Sequence, residues 1–579
     1  MAKKKFTAIL LAAVMAFAVC AFTGCNSGDD EFTEKIDPTR TQIYVFNFYG
    51  GFRADWLVSV KKQFEEMYKD YEGVDENGEK NGKVGVQVLM DNRKEYFSTG
   101  ATNIRGGTNE VYFTEYMYYH APHAGNAFLD ITDWLTEPLS EFGETRSIAD
   151  KMSKEQRAYY SDDGTATGEN DDGTYTVAND TRKYYAVPHY EAYEGIVYNK
   201  DLWLERGFYF SESHKNEGLY YKFTNDLTDL TAGPDGKHGT ADDGLPATYA
   251  DFLDMCTYIY QNGVTPFVWT GEHYGGYIGG LYNALVTDYE GAEMRLNYTV
   301  NGTASTLVDK DGNALSDQTI TPQTAYKLAN MKGRREALKL VEKIVHTSEW
   351  QAEGSFNTAV SHHDAQAKLL SSGYDGNAPI AMLLDGTWWE GEATETFQEV
   401  ADRYPGAKDK NERSFGWMPM PKADPSKVGE GQTYFDPVQG MTFVKATLAE
   451  NKKDLVKKFI RFVYSDKMLS EFTRITSAIK ALDYEVTDAD KAKMTPFALD
   501  LWTQREAAAD IIYPISDTPL FANNQAAFDR ESLMGVRING SDYGYCANAL
   551  HEIPTLTAQA AFEGMLDYQR NSWFGKLKK

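Results

Sequence analysis

Residues 187–203 read VPHYEAYEGIVYNKDLW. Pro188 interrupts regular structure, because proline lacks the backbone N–H that a ladder needs. An aromatic and acidic run follows, Tyr190-Glu191-Ala192-Tyr193-Glu194. Ile196-Val197-Tyr198 is then a strand core of β-branched and aromatic residues. Asn199-Lys200-Asp201 makes a turn, and a helix opens at Leu202. A strand entered from a carboxylate-bearing aromatic segment is the expected crossing point between two lobes, with a ligand nearby.

The lengths around it agree. The chain has 579 residues, too many for one ordinary core, so two or more lobes are expected. Hydrophobic residues make up 42% of it, a globular proportion. The formal net charge of -27, without a basic patch, excludes a nucleic-acid partner. Aromatics reach 13%, enough for some to serve as open platforms, although most must be core.

The N-terminus reads as a targeting signal. Lys3, Lys4 and Lys5 precede an apolar run from Phe6 to Phe22, which ends FTGC at Cys25. This resembles the bacterial lipoprotein signal, with Phe22 in place of the usual leucine. The resemblance implies cleavage after residue 24, lipidation of Cys25 and a polar tether over residues 25–39. Once Cys20 leaves with the leader and Cys25 is acylated, Cys256 and Cys546 remain. Two cysteines are no disulfide framework, and isolated buried thiols are expected.

Outward from the crossing, strand and helix patterns alternate. TQIYVFNF (41–48) reads as a strand, followed by Gly50-Gly51 and an amphipathic helix from Asp55 with Trp56, Val60, Phe64 and Met67 at helical spacing. VGVQVLM (84–90) and EVYF (110–113) are further strands, and the stretch from Ala127 to Leu135 is expected to open a helix after the cap-like Asp130-Ile131-Thr132-Asp133. This alternation predicts an α/β lobe with a largely parallel sheet. Residues 140–183, rich in Gly, Asp and Thr, are expected to form a surface excursion, and 205–245 a second insert. TYADFLDMCTYIYQ (248–261) is a helix, TPFVW (265–269) a strand, and APIAMLLD (378–385) a strand running into GTWW.

Together these blocks resemble the extracellular solute-binding proteins of ABC sugar importers, the group that includes maltose-binding and alginate-binding proteins. The blocks that carry the resemblance are YVFNFYGGFRADWL, EVYFTEYMYY with GNAFLDITDWL, the YNKDL crossing, LPATYADFLDMC, TPFVWTGEHY, SHHDAQAKLLSSGYDGNAPIAMLLDGTWW and FGWMPMPKAD. It implies the two-lobed periplasmic-binding-protein-like (type II) α/β fold, each lobe a sheet flanked by helices, joined by a hinge. Lobe one is then expected at 40–190 and 417–470. Lobe two is expected at 191–416, with 471–579 adding to lobe two and the hinge. It further implies a monomer that delivers a carbohydrate to a membrane permease from the outer face of the cell membrane.

The same resemblance assigns sugar contacts to Asn47, Tyr49, Arg53, Glu115, Tyr116, Tyr190, Glu191, Trp269, Glu272, Tyr274, Asp385, Trp388 and Trp389. Carboxylates and amides accept hydroxyl hydrogen bonds, and aromatic faces stack on sugar rings. Trp388 and Trp389 are neighbours, so one is expected to face the core. Tyr190 and Tyr193 are equally suited to a core, and Glu272 to a solvated loop.

GPDGKHGTADDGLP (233–246) brings Asp235, Asp242 and Asp243 together with Thr240 among glycines. Hard cations take several oxygens on a tightly turning backbone. The bidentate glutamate that closes an EF-hand is missing. Some alginate-binding members carry a calcium loop at this place, so a structural Ca2+ is expected, with the carbonyls of Lys237 and Thr240 completing the shell. His362-His363-Asp364 lacks further ligands at metal spacing and reads as a helix start. No phosphate loop, nucleophile elbow or HExxH motif is present. The chain is therefore read as a binding protein and not an enzyme. A secreted glycan-degrading enzyme and a peptide-binding lipoprotein are the alternatives.

Overall fold

A computed structural model describes residues 34–94, 100–162, 181–438, 440–528 and 533–573. Cys25 and its leader lie outside these residues, as does much of the Asp-rich stretch at 163–180. The elements that position the site run in chain order as β1 (Thr41–Phe48), α1 (Asp55–Met67), β2 (Val86–Arg93), β3 (Val111–Thr114), α2 (His120–Ala124), β4 (Ala186–Pro188) and β5 (Glu194–Asn199). There follow α3 (Tyr249–Gln261), β6 (Thr265–Val268), α4 (Tyr274–Glu290), α5 (His362–Ser371), β7 (Ile380–Gly386) and α6 (Trp389–Glu392). The last are β8 (Phe415–Met418), β9 (Thr433–Phe435), β10 (Met441–Val444), α7 (Asp466–Thr476), α8 (Pro496–Glu506), β11 (Asp510–Ile512) and α9 (Pro519–Asn524).

Two sheets form the two lobes. The first has five strands in the order β2-β1-β3-β10-β4, the second four in the order β6-β7-β5-β8. β1 is parallel to β2 and β3, while β10 is antiparallel to β3 and β4. In the second sheet β6 and β7 are parallel, and β5 is antiparallel to β7 and β8. Each sheet is thus largely parallel with one reversed strand. In each the reversed strand is the one arriving from the other lobe, β5 after the first crossing and β10 after the second.

Local chemistry explains the helix starts. Thr248 and Ser361 cap α3 and α5, each in a reciprocal box with the acid three residues on, Asp251 and Asp364. His362-His363 therefore opens a helix. α1 buries Trp56, Leu57, Val60 and Phe64, whereas Met67 points to solvent. Cys256 and Cys546 are buried free thiols.

Three expectations are corrected. The return to lobe one does not begin at 417: Phe415–Met418 pairs with Ile196–Asn199 inside the second sheet, and the chain re-enters the first sheet at Met441. An extended aromatic segment fits either sheet, and only the partner strand decides. Lobe one also extends past 470, since α7 runs to Thr476 and Phe472 packs on Phe52 and Trp56. The helix expected after Asp130 runs Thr132–Thr136, and Phe128 ahead of it bridges to Lys445. The described part of 140–183 is only partly surface: Ser140, Glu141, Gly143 and Thr145 are exposed, but Ile148, Ala149, Lys151, Tyr159 and Tyr160 are buried.

The chain passes from the first sheet to the second between Pro188 and Glu194, and back between Met418 and Met441. On the return β9 pairs in parallel with β11, and Glu191 bridges to Ile479. Lys480 is fully buried, with Nζ 2.7 Å from His189 Nδ1 and 4.2 Å from the Phe472 ring centre. Burial holds its ammonium well below the usual lysine range.

Candidate functional site

The C-terminal ends of β1 and β3 meet the C-terminal end of β7 where the lobes face each other. In open α/β sheets ligands bind outside such strand ends. On the lobe-one side, Asn47 is fully buried; its Nδ2 donates to Asn92 Oδ1 at 2.9 Å, and its Oδ1 has no protein partner. Tyr49 is half-buried, with the Lys94 ammonium 5.9 Å from its ring centre. Glu115 is buried and Tyr116 half-buried just past β3. Arg53 and Tyr116 both adopt left-handed backbone, φ 65° and 50°. For non-glycine residues this costs about 1–3 kcal/mol each and concentrates at functional sites.

On the lobe-two side, Asp385 ends β7 and is 3% exposed. It accepts from the amide N–H of Gly386 at 2.7 Å and from Gln366 Nε2 at 3.1 Å. The same Nε2 donates to Glu392 Oε2 at 2.7 Å. Burial first, then the neighbouring Glu392 and Glu194, push the Asp385 carboxyl well above the usual range. Tyr277 on α4 is raised by burial and then by Asp385, Glu392, Glu194 and Tyr116, which places it between the two walls. Trp388 is half-buried, and a Cβ on Gly51 would come within 2.5 Å of its own Cβ. Its ring therefore lies against the lobe-one turn.

Arg53 reaches Glu395 of lobe two, Tyr116 and Asp385 both act on Tyr277, and Trp388 meets Gly51, while Asn47, Tyr49 and Glu115 stand at or just past the ends of β1 and β3. It sets the other residues apart. Trp389 is fully buried, packed edge-on against Phe415 at 4.9 Å and Phe497 at 5.5 Å. Trp269 is likewise core, edge-on to Phe356 at 5.3 Å. Tyr190 is buried against Phe52 at 4.4 Å. Tyr274 packs on Phe356 and His551, and Glu272 is exposed beside His273. Glu191 does accept hydroxyls, but they are the protein's own. Tyr193 donates at 2.7 Å, Tyr513 at 2.5 Å and Arg505 Nε at 3.0 Å, and the carboxylate is wholly buried. Its acceptors are spent on the hinge.

Sequence reasoning missed Glu194, Tyr277, Gln366 and Glu392. Tyr277 had a signal, since it lies three residues after Tyr274 on the same helix. Glu194 had another, since it starts the strand whose partner carries Asp385.

A cavity of about 680 Å3 opens elsewhere, beside the hinge, lined among others by Arg146, Arg157, Asp483 and Arg505. Arg146 is ion-paired with Asp483 and Arg505 with Glu191. Its chemistry is internal pairing, and the strand ends carry the better site.

In the Asp-rich loop, Thr240 Oγ1 lies 3.4 Å from Asp235 Oδ1, 2.7 Å from Asp242 Oδ1, 3.3 Å from Asp243 Oδ1 and 3.0 Å from the Lys237 carbonyl. One hydroxyl donates one hydrogen, so it satisfies one of four acceptors. The donor set is all oxygen and suits a hard cation. In its present arrangement the loop closes on itself through backbone N–H groups of Asp235, Lys237 and Gly239. Among the described residues, no group of three or more His, Cys, Asp or Glu is arranged to hold a metal ion.

Neither a family model nor a curated protein matches the chain. Solved structures do. A chitin oligosaccharide binding protein aligns over 92% of this chain and 99% of its own, at 13% identity and a TM-score of 0.50. A structure from work on xylan utilization by the thermophilic bacterium Caldanaerobius polysaccharolyticus aligns over 91% and 99%, at 12% identity and a TM-score of 0.50. The chain shares their fold. At such identity the likeness covers the two-lobed α/β architecture and leaves the residues at the junction to be argued on their own chemistry.

Proposed function

We propose that this chain is the carbohydrate-binding receptor of an ABC importer, holding an oligosaccharide between its lobes and handing it to a membrane permease. One observation carries the reading: a half-buried tryptophan, Trp388, lies against the lobe-one turn at Gly51, three residues after Asp385, while Asn47 and Glu115 stand at the ends of the lobe-one strands β1 and β3. Apolar ring faces and a few convergent polar groups are what a sugar site needs. A ligand touching both walls favours the closed arrangement by its differential affinity, which is how such a hinge transmits occupancy. No helix among the described residues is long and apolar enough to cross a membrane. In this reading the mature chain is a monomer tethered outside the cell through lipidated Cys25. On the same reading the loop at 235–243 takes up a structural Ca2+ by turning the Asp235, Asp242 and Asp243 carboxylates from their backbone N–H partners, with Thr240 and the Lys237 carbonyl completing the shell.

Calorimetric titration with a panel of oligosaccharides and peptides tests the proposal. Saturable binding of a glycan without release of reducing ends is the expected result. Release of reducing ends would make the chain an enzyme, and binding of peptides alone would move it to peptide uptake.

A further inference from the structure

The carboxylate pair on the lobe-two wall is built for something other than a neutral hydroxyl. Asp385 and Glu392 both accept from one nitrogen, Gln366 Nε2, at 3.1 and 2.7 Å. Gln366 is fully buried, and its Oε1 has no protein partner. That oxygen belongs to the same carboxamide, so it borders the pair. Two carboxylates thus share one side-chain donor nitrogen, and Asp385 has the Gly386 N–H besides. Among the described residues, no lysine or arginine pairs with Asp385 or Glu392. The nearest basic group is His362, with Nε2 3.5 Å from Glu392 Oε1. Burial holds that imidazole below its usual range, so it stays uncharged near neutrality and does not balance the pair.

A buried carboxylate, Asp385, beside a half-buried one, Glu392, with no cation at hand is costly, and nature resolves this by protonation or by an incoming cation. Access is present: the Glu392 side chain is 17% exposed and that of His362 29%. The half-buried Trp388 next to Asp385 offers a ring face and an attraction for a cation. Resting on the receptor reading above, we infer that the ligand is an amino sugar, a glycan with a free amine whose ammonium docks between Asp385 and Glu392. An ammonium has three donors and no acceptor. It complements two carboxylates and an orphan amide oxygen, whereas a hydroxyl brings one donor and two lone pairs.

The test titrates the full chain with glucosamine oligomers, their N-acetylated forms and glucose oligomers of equal length and linkage, at a pH where the amine is protonated. The amine series is expected to bind at least about tenfold more tightly, since one charge-assisted contact exceeds a 1.4 kcal/mol step. Raised salt is expected to shrink that preference. Glu392→Gln, which keeps shape and a partly exposed site, is expected to remove most of the preference while neutral glycans bind as before. Asp385→Asn, checked for folding by circular dichroism, is expected to remove the preference as well and to weaken neutral glycans besides. Equal or tighter binding of the neutral series overturns the inference and leaves the receptor reading standing. So does a preference that Glu392→Gln does not change. Failure of every glycan to bind overturns the receptor reading itself.

Discussion

Glu191→Gln separates a structural from a ligand-contacting role at the hinge. The carboxylate is wholly buried and accepts from Arg505 Nε at 3.0 Å, Tyr193 at 2.7 Å and Tyr513 at 2.5 Å. Glutamine keeps the volume but turns one oxygen into a donor facing donors. It also strands the guanidinium of Arg505, whose side chain is 14% exposed. Removing one partner of a buried pair costs about 3–5 kcal/mol. Arg505 keeps the Leu482 carbonyl at 3.0 Å and an exposed contact to Glu506 at 3.5 Å, so the low end, about 3 kcal/mol, is expected. Tyr513→Phe removes one hydroxyl donor to a charged acceptor and should cost about 1.5–3 kcal/mol. Urea unfolding followed by tryptophan fluorescence reads both, as a lower midpoint with glycan affinity retained in the folded protein. A Glu191→Gln protein that unfolds like the parent but no longer binds glycan would refute the argument, because the carboxylate would then be facing the ligand.

Trp388→Ala should weaken glycan binding by at least about 1 kcal/mol with little effect on stability, whereas Trp389→Ala should cost about 3–5 kcal/mol of stability, read by calorimetry and thermal melts respectively. Glu290 is buried, accepts from the Thr306 hydroxyl and from the Gly333 N–H at 2.5 Å, and burial pushes its carboxyl up to about 7. A native carboxyl that holds its proton longer than the unfolded one loses stability as pH rises from about 4.5 to about 7, by roughly 3 kcal/mol in all. Glu290→Gln should therefore flatten the fall in stability between pH 5 and pH 8. Chelation should lower the melting temperature if the 235–243 loop binds Ca2+; superimposable melts with and without chelator would remove the ion.

Much of the architecture was legible because alternation and capping are local. The strands at 41–48, 194–199 and 380–386 announce themselves in β-branched and aromatic runs, and α3 and α5 in their capping boxes. What failed was pairing at a distance. FGWM reads the same in either sheet until Val197 claims Trp417. Glu191 looks like an open acceptor until Arg505, 314 residues away in sequence, takes it. Trp388 and Trp389 are distinguished by which one meets Gly51 across the junction and which meets Phe415 and Phe497 within lobe two. Neighbour identity alone cannot choose between them.

The contacts that now join the lobes also bear on how the protein responds to ligand. Arg53 reaches Glu395 at 3.3 Å across the junction, but the side chains are 37% and 82% exposed, so this pair is worth about 0–1 kcal/mol. Close approach at the same corner depends on absent side chains: a Cβ on Gly391 would lie 2.5 Å from the Gly51 carbonyl oxygen. The strong polar contacts lie in the hinge instead, where Glu191, Arg505 and Tyr513 hold the crossings together. Where the walls meet at Tyr116, Tyr277 and Asp385, carboxylates gather with burial and like charge working against them. A junction closed by weak exposed pairs over a repulsive wall is poorly stabilised by itself. In the receptor proposed above, a donor-rich ligand that neutralises that wall and covers Trp388 would supply the differential affinity that closure requires.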